Sequence, residues 1–133
     1  MARTKAQDYD LRCEAIIDAA ALMIAKYGFY GASMAEIAKS CNLSKPALYH
    51  YFSAKEDVLF AIMEDHVAEL VEISKSVRQS HLPPREKLIR LCRNFMICYT
   101  GTKERHIVLL NELGKLRPVD HDVIVSQQRQ ILD

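Results

Sequence analysis

Glycine and proline are scarce in this chain, four of each in 133 residues. No stretch alternates apolar and polar residues for long, so a fold of half-buried strands is excluded. No internal repeat is present, which excludes a solenoid. Nowhere do 18 apolar residues run uninterrupted, so no membrane span is expected. Met1 to Gln7 carries Arg3 and Lys5 with no apolar run behind them, so no signal peptide is expected either. The formal charge of +1 has no dominant sign, although a basic face can hide inside a balanced total. The four cysteines, Cys13, Cys41, Cys92 and Cys98, include no CxxC pair and lack zinc-site spacing. They read as buried, reduced thiols of a cytosolic protein. A Ser/His/acid arrangement, a Gly-rich phosphate loop and HExxH are all missing, so no enzymatic role is expected. His66, His106 and His121 lack the helical spacing of metal ligands, and neither a metal nor another cofactor is expected.

What is present is half hydrophobic and about a quarter charged, the composition of an ordinary globular domain, and it reads as all-α. A first helix is expected over Asp10 to Tyr27, closed by Gly28, with Cys13, Ile16, Ile17, Ala20, Ile24 and Tyr27 as its buried stripe. Ser33 with Glu36 forms a capping box that opens a second helix, whose core side is Met34, Ile37, Ala38 and Cys41. Asn42-Leu43-Ser44 breaks it. Ser44 then caps a short third helix from Lys45, where Pro46 is tolerated in the first turn. Ser53 with Glu56 suggests a second capping box and a long fourth helix from Ala54 to Ser80, with the seam Leu59, Ile62, Met63, His66, Leu70, Ile73 and Val77. Helices five to seven are expected over Pro84 to Thr100, Lys103 to Leu113, and from Pro118 onward.

The third helix, within "SKPALYHYFSAKE", carries rings on several sides. At 100° per residue, Leu48 and Phe52 share its core side, while Pro46, Ala47 and His50 lie opposite and Tyr49 and Tyr51 flank them. A narrow outer face with a phenol on each shoulder suits a groove, with the tip at base edges and the hydroxyls at phosphates. The same two tyrosines could instead cover the edges of a core. With the helix before it and Leu43 plugging the turn, the segment reads as a helix-turn-helix.

Over Ile16 to Leu59 the chain resembles the DNA-binding domain of the TetR family of transcriptional regulators. The residues that carry the resemblance are Tyr27-Gly28-Phe29, Ser33, Ile37-Ala38, the Leu43-Ser44 turn, Leu48-Tyr49-His50-Tyr51-Phe52 and Lys55-Glu56. The resemblance implies a helix-turn-helix head over residues 1–53 and a helical effector-binding body over 54–133. It further implies that Ser33 and Tyr49 meet phosphates, and that Ser44, Lys45 and Ala47 lead the recognition helix. His50 and Tyr51 would meet bases or backbone, and Lys55 a phosphate at the start of helix four. Arg3 and Lys5 resemble a loose basic arm.

The expected function is that of a cytoplasmic DNA-binding regulator, a repressor released from a palindromic double-stranded operator by a small apolar or amphipathic effector. An adapter for protein interactions that contains a helix-turn-helix is the alternative. His66, Phe95, Met96, Tyr99 and Leu110, with Ile107 and Leu113, are expected to line an effector pocket among helices four to seven, although the same residues could be plain core. "LNELGKLRP" resembles regulators of fatty-acid or acyl-CoA metabolism within the family, which suggests an effector of that kind. The family dimerises through its last two helices. Those are expected to be missing after Asp133, and a homodimer is still expected.

Overall fold

The computed structural model describes residues 4–132 of the chain, and among them the fold is all-α, as the sequence suggests. Seven helices run α1 Lys5–Tyr27, α2 Met34–Ser40, α3 Lys45–Tyr49, α4 Lys55–Gln79, α5 Pro84–Gly101, α6 Lys103–Glu112 and α7 Pro118–Leu132, with a 3-10 turn, Leu113–Lys115, after α6. No helix among the described residues is long and apolar enough to cross a membrane.

Helix α1 starts at Lys5 rather than Asp10 because Thr4 forms a capping box with Gln7. The Thr4 hydroxyl accepts from the Gln7 amide at 3.2 Å, and the Gln7 side chain accepts from the Thr4 amide at 3.1 Å. Lys5 therefore sits on a helix and not on a loose arm; Arg3 lies outside the described residues. The buried stripe of α1 is Ile16, Ile17, Ala20, Ala21 and Ile24. Cys13 is only half-buried, and Tyr27 is 55% exposed. Gly28 turns the chain there with φ +79°, a conformation that L side chains rarely adopt. Phe29, just beyond the turn, is buried.

The Ser33 hydroxyl caps α2, accepting from the Glu36 amide at 3.1 Å and donating to the Glu36 carboxylate at 2.9 Å. The far end of α2 is a Schellman turn. The Asn42 amide donates to the Lys39 carbonyl at 3.2 Å, and the Leu43 amide to the Ala38 carbonyl at 2.9 Å. Asn42 takes the left-handed conformation the motif needs, φ 58°, because after glycine asparagine tolerates it best. Ser44 then caps α3, accepting from the Ala47 amide at 3.2 Å. Helix α3 ends at Tyr49, so Phe52 is off its wheel and half-buried, whereas Leu48 is fully buried as expected.

The capping box expected from Ser53 and Glu56 does not form. Ala54 is the N-cap of α4, with no side-chain hydrogen bond. Helix α4 is the axis of the molecule, packed against α1, α5, α6 and α7. Its buried face is correspondingly wider than a single seam and adds Val58, Val67, Val71 and Ser74 to the expected residues, while Ile73 is half-buried. One hydrophobic cluster runs from Ile16 and Leu48 through Leu59 and Met63 to Val108 and Ile124. The head thus rests directly on the body. The thiols are all free, but only Cys98 is buried; Cys92 is exposed, and Cys13 and Cys41 are half-buried.

Candidate nucleic-acid interface and interior polar cluster

With Leu48 anchored in the core, α3 turns Ser44, Lys45, Pro46, Tyr49 and His50 to solvent and leaves Ala47 half-buried. Ser33 lies exposed at the start of α2. Between Tyr30 and Ser53 the sole acidic residue is Glu36, and its carboxylate is engaged by the Ser33 hydroxyl. Lys39 and Lys45, by contrast, form no ion pair among the described residues. The outcome is a small exposed surface on which Ser44, Tyr49, His50 and the free Lys39 and Lys45 ammonium groups can donate hydrogen bonds to anionic oxygens, whereas the Ser33 hydroxyl must first leave Glu36.

Two of the residues expected on this surface sit elsewhere. Tyr51 turns toward α1, where its ring stacks on Tyr9 with centroids 5.1 Å apart and its hydroxyl accepts from Arg12 at 3.3 Å. That cluster braces α3 against α1, and no spacing in the sequence signals a pair 39 residues apart. Lys55 is half-buried behind the surface. Its ammonium donates to the carbonyls of Phe29 at 2.5 Å and Ala32 at 3.0 Å, and lies 4.2 Å from the centre of the Phe29 ring. Lys55 thereby pins the loop between α1 and α2 to the start of α4. Its cation is engaged by that loop, through hydrogen bonds and a cation–π contact, rather than presented outward.

In the body, the residues expected as pocket lining divide. Met96 is 69% exposed and Leu110 68% exposed, so both face away from the interior. Met96 instead belongs to an open apolar trough of about 660 Å³ on the outer side of α5, with Leu88, Ile89, Cys92, Arg93 and Ile97. Ile107 and Leu113 are half-buried. His66, Phe95 and Tyr99 do come together, and with them His106. His66 is wholly buried, and its Nε2 lies 3.2 Å from Nδ1 of His106. Tyr99 packs on the His106 ring at 4.3 Å and Phe95 on Tyr99 at 6.1 Å, centroid to centroid.

Burial lowers the His66 pKa to about 4, with smaller contributions from His106 and from the Arg105 guanidinium. His66 is therefore neutral at pH 7, and one proton serves the hydrogen bond with His106. Its other nitrogen, Nδ1, is buried without any hydrogen-bond partner. A buried polar atom without a partner carries a desolvation cost. No group of three metal-binding side chains occurs among the described residues.

Residues 16–62 match the model for bacterial regulatory proteins of the tetR family. The HTH-type transcriptional regulator BetI of Rhizobium meliloti (strain 1021) is 30% identical over 83 residues, 62% of this chain and 41% of that protein. A TetR-family transcriptional regulator from Bordetella parapertussis 12822 superposes with a TM-score of 0.86 at 32% identity, covering 90% of this chain and 62% of the other. AibR, solved in complex with isovaleryl coenzyme A and operator DNA, superposes with a TM-score of 0.78 at 32% identity, covering 90% and 65%. The chain thus spans less than half of the BetI relative and under two thirds of either solved chain.

Proposed function

We propose that this chain, whose residues 16–62 match the model for bacterial regulatory proteins of the tetR family, is a DNA-binding transcriptional repressor released by a small effector. The observation that carries the reading is the outer face of α3, where Ser44, Lys45, Tyr49 and His50 are exposed around the anchored Leu48. Tyr49 donates to a phosphate on the groove wall, Ser33 does so once its hydroxyl leaves Glu36, and Lys45 neutralises a phosphate at the leading turn, while Ala47 and His50 lie nearest the base edges. Ser44 holds the leading turn through its cap, and Tyr51 and Lys55 set the angle of the head rather than touch DNA. A palindromic operator with half-sites about 34 Å apart requires two heads, hence a homodimer.

The effector enters the body, where the partnerless nitrogen of His66 meets its polar end and Phe95 and Tyr99 flank it. An apolar or amphipathic acyl compound suits that surrounding. The isovaleryl coenzyme A bound by AibR supports acyl chemistry, and acyl-CoA thioesters and fatty acids are the compounds to try. Release follows only if the effector prefers a conformation in which the heads no longer match the grooves; a hundredfold preference amounts to about 2.7 kcal/mol.

Fluorescence anisotropy on the promoter region beside its own gene tests both halves of the reading. The wild type is expected to bind with steep salt dependence. Lys45→Ala should reduce the slope of log K against log salt by about 0.9 for each phosphate it no longer neutralises. If Lys45 reads a base instead, the loss is concentrated at particular operator positions. Titration with isovaleryl-CoA, longer acyl-CoA thioesters and free fatty acids should weaken binding for at least one of them. An unchanged affinity throughout would reduce the interior cluster to plain core.

A further inference from the structure

Arg105 stands in the first turn of α6, its side chain 15% exposed, among three carboxylates. Its guanidinium lies 2.5 Å from Asp18 and 3.4 Å from Glu14, one turn apart on α1, and 4.0 Å from Asp65 on α4. The next residue is His106, whose ring meets His66, the neighbour of Asp65. Two adjacent rungs therefore join α4 to α6, and one of them reaches on into the head. Beyond them, α6 continues along α1. The buried Glu112 carboxylate comes within 3.4 Å of where a side chain on Gly28 would begin, and the Lys115 ammonium lies 5.7 Å from the Tyr30 ring centre.

We propose that Arg105 is a latch that transmits the state of the His66–His106 pair to the DNA-binding head, coupling effector occupancy to the position of α1. The inference rests on the repressor reading above and adds a route to it. A polar group received by His66 Nδ1, or one that displaces the His106 ring, moves the first turn of α6. Arg105, bonded to His106 through the backbone, then cannot keep its distances to both α1 and α4. Three carboxylates face that one cation, so any retreat leaves them repelling one another and pushes α1 from the body. The raised pKa of the Asp65 carboxyl, caused by burial and then by the neighbouring Glu14 charge, fits a cluster already short of positive charge.

The test needs no known effector. His106→Gln perturbs the pair, and the double variant Glu14→Gln/Asp18→Asn removes the α1 half of the latch at two largely exposed positions while leaving Asp65 in place. With the latch intact, His106→Gln is expected to change promoter affinity by about threefold or more; in the latchless background, by less than about 1.5-fold. Hydrogen exchange at the α1 amides, measured without DNA, should show the same dependence. Equal effects in both backgrounds, or no effect in either, would overturn the latch. A wild type that ignores its promoter DNA would sink the repressor reading instead, and the exchange measurement would then decide the latch alone.

Discussion

The head and the body of this molecule place their unusual residues in opposite ways. In the head the aliphatic side chains Ile16, Ile24, Ile37 and Leu48 are buried almost completely, and what remains outside on α3 is hydroxyl, imidazole and ammonium. The body buries Leu59, Ile62 and Met63 just as completely, but places a polar ring among them. A titratable ring, His66, is wholly enclosed, while Leu88, Met96 and Ile97 of α5 and Val119 of α7 lie exposed. A polar convex tip suits a charged, hydrated partner such as DNA, whereas a contiguous apolar surface is the kind that other protein or lipid-like matter covers. Position in the fold, more than residue type, decides what each side chain is for.

The largest effect that would break this contrast comes from truncating matched aliphatic residues. Leu48→Ala should cost about 2–5 kcal/mol of stability in denaturant unfolding, since its site is closed on all sides. Met96→Ala should cost less than about 0.5 kcal/mol, because solvent already reaches it. Equal costs would mean that the trough on α5 is covered in solution.

Lys55→Ala is expected to come next, at about 1–3 kcal/mol, because it strips two partly buried carbonyls of their donor. Its salt slope on promoter DNA should match that of the wild type. A flatter slope would return Lys55 to the phosphate contact that the family resemblance implies.

The buried histidine makes the stability of the molecule sensitive to acid. His66 titrates near 6.5 when unfolded and near 4 in the native state, so in that window the unfolded chain holds more of the proton. Stability is therefore complete above pH 6.5, declines as pH falls toward 4, and loses nothing further from this group below that. A loss on the order of 1 kcal/mol between about pH 7 and pH 5 is expected, and His66→Leu should flatten this part of the profile. A wild type and a His66→Leu variant with superimposable pH profiles would show that another group controls acid sensitivity.

The smallest effect expected is at the tip of the head. Tyr49→Phe removes one hydroxyl from a surface that keeps several donors, and should weaken promoter binding about two- to tenfold, uniformly over operator positions. Position-dependent losses would move Tyr49 from the backbone to the bases.

Much of this is legible from local signals. Gly28, Ser33, Ser44 and Pro84 mark helix boundaries through the chemistry of backbone groups a few residues away, and such bonds depend on little else. Periodicity misplaces the start of α1 because the Thr4–Gln7 box lies upstream of the first apolar stripe, where the stripe has nothing to report. The Ser53–Glu56 pair has the spacing of a box but not its geometry, since the cap falls at Ala54. Met96 and Leu110 read as lining although both face outward, because an apolar residue on a helix carries no mark of which neighbour, if any, covers it.

The helical class, the helix-turn-helix with its exposed α3 face, and the anchoring of that helix by Leu48 were all encoded locally. Each follows from periodicity and capping within a few turns of chain. It took the packing of whole helices to bind Lys55 to the loop before α2, to brace Tyr51 on α1, and to bring His66 to His106. The same packing sets Arg105 against Glu14 and Asp18. Those partners are separated by tens of residues, and whether two distant side chains share hydrogen bonds depends on how their helices lie together, which no local spacing encodes.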